Sequence, residues 1–332
     1  MSKNGLPRKP LTKRRLKNLI LNVLKNPFNM VVLVSLVILF CLIIIPLLTM
    51  IANTFTLAQG ELRRVQGHVG DFTLYYWKYI LASTLSGAVL WGPLKNSFIC
   101  GLFTVLVSVP LGSVLAWLMI RTDIPGKKIL GLLVTVPYMI PSWTKALAWL
   151  AMFRNSTSGA DGFLAGMGIP IPDWLAYGPI AIVLCMSMHY YAFSYIMVSG
   201  ALRSINSELE EMGEIQGASK AQILRHITLP LILPSVLSAT VMTISKSIGT
   251  YGVPANLGNR IGYYTLATKM RNFIDQGPQA VGYAMSIVLV LLAAVIIFSN
   301  QRIVGVRKSY ATVSGKGGRA TLMPLGKAKK PL

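Results

Sequence analysis

The sequence predicts an all-α polytopic membrane protein with six transmembrane helices. Of its 332 residues, 53% are apolar and only 13% are charged, whereas soluble chains carry about 25% charged residues. The mean hydropathy is +0.58. The apolar residues are concentrated in long blocks, and a helix of about 20 apolar residues crosses a bilayer core of about 30 Å.

Six apolar stretches are long enough to cross a bilayer. They cover residues 28–51, 97–120, 129–152, 179–202, 231–251 and 280–299. Prolines within or near these stretches are tolerated where neighbouring helices bond the freed backbone groups. The first stretch is longer than the apolar region of a cleaved signal peptide, so we expect it to be retained as a span.

The basic residues predict the orientation of the chain. The sequence holds 32 Lys and Arg against 10 Asp and Glu, a net charge of +22. Of the 32 basic residues, 22 fall in the two tails and in the connections that follow the second and fourth spans. Since Lys and Arg are enriched on the cytoplasmic side, both termini are predicted to be cytoplasmic. The charges avoid the apolar blocks, so we expect a lipid bilayer as the partner and no nucleic acid.

This topology divides the chain into five parts. A basic cytoplasmic tail covers 1–27, the first transmembrane helix 28–51, and an external loop 52–96. A core of five transmembrane helices covers 97–299 and contains the cytoplasmic connection 203–230, and a second basic cytoplasmic tail covers 300–332. The external loop holds an aromatic segment, 72–80, which predicts a helix at the membrane interface because Trp and Tyr favour that depth.

The connection 203–230 has an unusual pattern of acids and helix signals. Four acids lie within seven residues, at Glu208, Glu210, Glu211 and Glu214. Ser207 and Glu210 have the spacing of a capping box, which predicts the start of a helix. Gly217 suits the left-handed position that ends a helix. We therefore expect one short helix before Gly217.

A second short helix is predicted after Gly217. Ser219 and Gln222 repeat the capping-box spacing, and Pro230 stands at the start of the fifth span, where its missing N–H costs little. A helix–Gly–helix element on a short connection is a rigid, shaped surface on the cytoplasmic side.

This element resembles the EAA loop of permease subunits of binding-protein-dependent ABC importers, which have the MetI-like fold. The loop pattern is Glu-Ala-Ala, three residues, Gly, nine residues, then Ile-x-Leu-Pro. Glu211, Gly217, Ile227, Leu229 and Pro230 stand at its positions, and Met212-Gly213 replace the two alanines. The resemblance implies that these residues, with Ala218, couple the chain to an ATPase.

The resemblance also implies the partners and the location. We expect two copies of an ABC ATPase, a second permease subunit and an external substrate-binding protein, in the bacterial plasma (inner) membrane. The chain has no Gly-x4-Gly-Lys-Ser/Thr phosphate loop, so ATP hydrolysis is expected from the separate ATPase. We expect this chain to have no catalytic residues, no cofactor and no metal site.

Four further segments resemble the ferric-iron branch of these permeases. They are 121–126, 136–141, 249–255 and 310–317. Many members of that branch are fused pairs, and this chain resembles the N-terminal half alone. The resemblance implies a non-identical companion permease and ferric iron, or another anionic or chelated small compound, as the solute.

Two charges fall within apolar spans, Lys145 and Lys246. Charges in a membrane usually face a cavity or a partner, so we expect a translocation pathway formed by these lysines with Tyr138, His189 and Tyr251. The alternatives are snorkelling for Lys246 and core packing for the aromatic side chains. An ion-coupled secondary transporter or channel is the alternative function, but it would be expected to carry acids within its spans, and none is present.

Overall fold

The computed structural model describes residues 27–62 and 65–307. These residues form helices, and their only β-type pairing is an isolated bridge between Thr56 and Phe72. The all-helical class is therefore confirmed. Most of the two basic tails, and the segment 310–317, lie outside the described residues. The chain divides into two compact units, with the boundary between Thr73 and Leu74.

The first unit contains helix α1, Pro27–Asn53. Its middle turn, Phe40–Ile44, is a π-helical segment. After α1 the chain folds back on itself, since the Leu57 N–H donates to the Asp71 carbonyl over 2.9 Å. The rings of Phe55 and Phe72 stack with centroids 5.9 Å apart. This unit thus joins the first predicted span to a short, hydrogen-bonded loop.

The second unit contains ten further helices of seven or more residues among the described residues. They are α2 Tyr75–Ala82, α3 Gly87–Arg121, α4 Lys127–Met139, α5 Ser142–Phe153, α6 Gly178–Ser204, α7 Ser207–Ile215, α8 Lys220–Gly249, α9 Gly252–Gly258, α10 Leu266–Gln276 and α11 Gln279–Arg307. Five helices of the described chain, α1, α3, α6, α8 and α11, are long and apolar enough to cross a membrane.

Helix α6 lies at the centre of the second unit and packs along α3, α4 and α8. Its closest approach to α3 is at Gly112, where an added Cβ would lie 2.3 Å from the Tyr191 carbonyl oxygen. Small residues allow the backbones of membrane helices to approach in this way. Helix α2, predicted from its aromatic residues, buries Tyr76 and Ile80 against α11.

The third predicted stretch, 129–152, is two helices and not one. Helix α4 ends at Met139 and α5 begins at Ser142, with Ile140 and Pro141 between them in extended conformation. Pro141 has no N–H to continue the helix, and a proline disfavours helical backbone at the preceding residue. Neither helix alone reaches the length of a span, so the third stretch is a broken helix.

Candidate functional site

The connection between α6 and α8 has the helix–Gly–helix form that the sequence predicts. Helix α7 ends before Gly217, whose φ is +83°. The Ala218 N–H donates to the Gly213 carbonyl over 3.0 Å, and the Gly217 N–H donates to the Glu214 carbonyl over 2.9 Å. These bonds satisfy carbonyls at the end of α7. The left-handed conformation predicted for Gly217 is confirmed.

The two predicted capping boxes have different outcomes. Ser219 and Gln222 form one at the start of α8, as predicted. The box predicted for Ser207 and Glu210 is wrong, because Asn206 caps α7 by accepting the Glu208 N–H over 3.3 Å. Glu210 is then available for another contact, which the sequence pattern did not indicate.

The second predicted short helix is continuous with the fifth span. Helix α8 runs from Lys220 to Gly249 and contains a π-helical turn, Leu224–Thr228. Pro230 cannot donate to the His226 carbonyl, and the Leu229 N–H bonds the Leu224 carbonyl, five residues back. A π-type turn absorbs such an interruption without ending the helix. The connection is thus joined to the membrane helix without a flexible link.

Gly213 sets the spacing between α7 and α8. An added Cβ at Gly213 would lie 3.2 Å from side-chain atoms of both Ile223 and Ile227. That distance is tighter than most Cβ contacts, so glycine allows the closest packing here. This accounts for glycine where the EAA pattern has alanine. Ile227 consequently faces α7, while Leu229 is 47% exposed.

A buried ion pair, Arg121–Glu210, joins α7 to the end of α3. The Arg121 Nη2 lies 3.2 Å from the Glu210 Oε1, and the two side chains are 1% and 8% exposed. The Thr228 hydroxyl donates to the same Glu210 oxygen over 2.7 Å. Arg121 also donates to the Leu202 carbonyl near the end of α6, over 3.4 Å. One guanidinium therefore connects α3, α6, α7 and α8.

Sequence reasoning missed Arg121 and Glu210 as a pair. The sequence indicated Arg121 as a basic residue on the cytoplasmic side and as part of the 121–126 segment, and it indicated Glu210 as a capping residue within the acid cluster, without joining the two. A signal was present in the helical period, because Glu210 lies three residues before Gly213 and so shares its inward face. That spacing separates Glu210 from the neighbouring Glu211, which is exposed.

The outer face of α7 is exposed and largely apolar. Leu209, Met212 and Ile215 are 46%, 58% and 85% exposed, and the exposed Glu211 lies among them. A cavity of about 390 Å³ lies at the end of α7 on the side that faces α8, and it is lined by Gly213, Gly217, Ala218 and Ile227 among others. An apolar face with an acid and an adjacent cavity is suited to contact with another protein.

Four of the five predicted pathway residues form one cluster between α4, α5, α6 and α8. We call it the pathway cluster, and its members are Tyr138, Lys145, His189 and Lys246. The Lys145 ammonium lies 2.5 Å from the His189 Nδ1. The His189 ring stacks on the Tyr138 ring with centroids 5.2 Å apart. Lys246 donates to the Tyr138 hydroxyl over 3.3 Å and lies 5.0 Å from the centroid of the Phe193 ring. The rings of His189 and Tyr138 thus lie between the two lysines and contact one lysine each.

The helix break explains the position of His189. Pro141 has no N–H, so the Pro137 carbonyl lacks its usual partner four residues on. The His189 imidazole hydrogen-bonds this carbonyl. The break between α4 and α5 therefore helps to hold the ring that contacts both Tyr138 and Lys145.

The fifth predicted pathway residue, Tyr251, and the neighbouring Tyr190 lie outside this cluster. Tyr251 precedes α9 and is 45% exposed. Tyr190 is 5% exposed and its hydroxyl hydrogen-bonds the Thr250 hydroxyl over 2.7 Å. Tyr190 therefore has a packed, hydrogen-bonded environment. Within residues 27–62 and 65–307, no three His, Cys, Asp or Glu are grouped as a metal site.

The broken span, the central polar cluster and the exposed connection define a helical membrane permease. The family of binding-protein-dependent transport system inner membrane components matches residues 108–308. This chain belongs to that family.

Curated relatives carry related names. A probable sulfate transport system permease protein, cysT, of Marchantia polymorpha is 28% identical over 180 residues, covering 53% of this chain and 59% of the relative. A putative 2-aminoethylphosphonate transport system permease protein, PhnV, of Salmonella typhimurium is 30% identical over 166 residues, covering 48% and 62%. The chain thus matches about three fifths of the length of these relatives.

Solved structures support the fold. A chain of a bacterial alginate ABC transporter, in complex with a periplasmic protein that carries an alginate pentasaccharide, superposes with a TM-score of 0.65 at 17% identity. The match covers 90% of this chain and 98% of that one. A chain of the MetNI methionine ABC transporter in an inward-facing conformation gives 0.50 at 22% identity and covers 68% and 98%.

Proposed function

We propose that this chain is the transmembrane permease subunit of an ATP-driven importer and couples to a separate ATPase through the 203–230 connection. The main support for the proposal is the structure of this connection, which has one exposed face and one face fixed to the membrane helices. Helix α7 presents an exposed apolar face with Glu211, and its opposite face is tied to three membrane helices by the Arg121–Glu210 ion pair. A partner that moves α7 would therefore move the membrane helices.

The proposed assembly contains two copies of an ABC ATPase, an external substrate-binding protein and a second, non-identical permease. We place the complex in the bacterial plasma membrane with both termini of this chain in the cytoplasm. The family membership supports the ATPase and the binding protein. The resemblance to half of a fused ferric-iron permease supports the non-identical companion.

The proposed solute is a small anion or an anion-bearing chelate, with chelated ferric iron as one candidate. The pathway cluster supports this, because Lys145 and Lys246 meet there and no Asp or Glu lies in the apolar spans. A cavity of about 360 Å³ near the start of α6 adds Arg154 and Arg260. Sulfate and 2-aminoethylphosphonate, the solutes in the relatives' names, are anions. The motifs of the ferric-iron branch favour a chelate.

A transport assay with a coupling variant tests the proposal. The complete complex is reconstituted in vesicles, and uptake of sulfate, 2-aminoethylphosphonate and ferric citrate is measured together with ATP hydrolysis. Glu211→Lys reverses a charge on the exposed face of α7, so we expect ATP-dependent uptake to fall steeply at unchanged membrane levels. Asp161→Lys, at an exposed position between α5 and α6, is the matched charge-reversal control.

Three results would contradict parts of this proposal. Uptake at the unmutated rate in Glu211→Lys would show that the connection does not transmit the movement of an ATPase. Uptake that continues without ATP and follows an ion gradient would favour a secondary transporter. If a cation alone were taken up, the anionic solute would be wrong while the coupling role could stand.

A further inference from the structure

A second cavity, of about 550 Å³, lies where α3 ends, α4 begins and α6 ends. We call it the basic cavity, because Lys127, Lys128 and Arg203 line it and no Asp or Glu is among its described lining residues. It lies at the same end of the helices as the 203–230 connection. It is separate from the pathway cluster, with which it shares no residue.

No carboxylate among the described lining residues neutralises the three cations of the basic cavity. Lys127 is half-buried, whereas Lys128 and Arg203 are exposed. Lys127 and Lys128 are also the first two residues of the 13-residue helix α4, and the N-terminal end of a helix carries a partial positive charge. The cavity is therefore a concentrated positive site that an anion would stabilise.

A buried hydroxyl provides an independent sign of a missing ligand. Ser199 lines the basic cavity and is 5% exposed. Its Oγ has no hydrogen-bond partner among the described residues. A buried polar group left without a partner costs roughly 1–3 kcal/mol, so an acceptor in the cavity would remove a penalty that the protein now carries.

We propose that the basic cavity binds a phosphate group through Lys127, Lys128, Arg203 and the Ser199 hydroxyl. Phosphate oxygens accept hydrogen bonds from all these donors. The cavity is also lined by apolar side chains, including Met119, Ile120 and the 45%-exposed Ile196. This combination favours the headgroup of an acidic phospholipid over soluble phosphate, because basic pockets between membrane helices bind such headgroups on the cytoplasmic side. The proposal does not depend on the transported solute.

The test uses the full chain purified with its copurifying subunits. Retention of dioleoylphosphatidylglycerol and dioleoylphosphatidylcholine is measured by native mass spectrometry, and the unfolding temperature is measured with each lipid and with inorganic phosphate. We expect selective retention of phosphatidylglycerol and a higher unfolding temperature with it. Each of Lys128→Gln and Arg203→Gln should weaken retention about fivefold, and Ser199→Ala should weaken it by a similar factor.

Arg302→Gln is the matched control, because it removes one exposed cation near the end of α11, outside the cavity lining. It should leave lipid retention unchanged. A response to inorganic phosphate alone would support the phosphate site and assign it to a soluble ligand. Equal retention of both lipids with no response to phosphate, or unchanged phosphatidylglycerol retention in the combined Lys128→Gln/Arg203→Gln variant, would overturn the proposal. Circular dichroism of each variant checks that a loss of binding is not a loss of folding.

Discussion

At the scale of single residues, Arg121 has the most demanding environment in the described chain. It is 1% exposed, and its Nε and Nη1 have no hydrogen-bond partner among the described residues. Within the part of the chain that the structure describes, Glu210 is the acid paired with it. Such a pair adds little net stability when intact, but removal of one partner leaves an uncompensated buried charge. Its value lies in fixing one arrangement of the four helices that it joins.

We predict that Arg121→Met destabilises the chain by about 3–5 kcal/mol, because Glu210 is left charged and buried. The double variant Arg121→Met/Glu210→Gln should recover much of this loss, and the unfolding temperature of the purified complex measures both. Arg271→Met is the control, since its pair with Asp275 is exposed and exposed pairs contribute little to stability. A double variant no more stable than Arg121→Met would show that the buried charge is not the cause.

Some residues could be predicted from the sequence because their requirement is local. Gly217 needs a positive φ, which glycine adopts at little cost, and the Ser219 cap needs only Gln222 three residues later. The Arg121–Glu210 pair could not be predicted in the same way, because its partners lie on different helices far apart in the sequence. Likewise, the sequence predicted that Lys145 and His189 belong to one pathway, but their direct contact depends on the packing of α5 on α6.

At the scale of helices, two prolines show why element boundaries were harder to predict. Pro110 lies inside α3 and leaves the helix continuous, whereas Pro141 separates α4 from α5. The two prolines differ in their tertiary surroundings. Directly after Pro141, α5 packs closely on α9, where an added Cβ at Gly252 would lie 2.6 Å from the Trp143 Cβ. Hydropathy alone treats the broken stretch as one span. The polar cluster depends on this break, so the element least well predicted carries much of the candidate site.

The close approach of α3 and α6 predicts the effect of adding one methyl group. Gly112→Ala should destabilise the complex by about 1–3 kcal/mol or more, because the new Cβ meets a backbone carbonyl that cannot move alone. Gly249→Ala is the control, since nothing lies within 4 Å of an added Cβ there. Unfolding temperature and membrane abundance measure the effect. Equal values for the two variants would show that α3 and α6 separate without cost.

At the scale of the whole molecule, the class, the family and most of the membrane helices could be predicted. Long apolar blocks determine membrane helices with little help from tertiary contacts, and the EAA spacing lies in one continuous segment. The solute could not be predicted, because a pair of lysines would indicate the charge of a solute but not its size or chemistry. The orientation of the chain and its companions remain predictions.

We predict that both termini lie in the cytoplasm, because most Lys and Arg fall on that side. A reporter fused after Leu332 should score as cytoplasmic, and a reporter inserted near Gly166, between α5 and α6, should score as external. Mass analysis of the purified complex should also find one copy of this chain with a different permease. The reverse reporter pattern would refute the topology, and two copies of this chain without a companion would refute the mixed pair.

Because α8 is continuous, a displacement of one of its ends can be transmitted to the other end. Its 30 residues correspond to a rod of about 45 Å, with Thr228 near one end and Lys246 near the other. Thr228 and Lys246 lie about 27 Å apart along the helix, so a tilt of about 10° would displace Lys246 relative to Thr228 by about 5 Å. Under the proposed function, a partner that pushed on α7 would act on α8 through the Thr228–Glu210 hydrogen bond and would change the distance between the Lys246 ammonium and Tyr138. The movement that drives transport and the movement that opens the proposed pathway would then both be movements of α8.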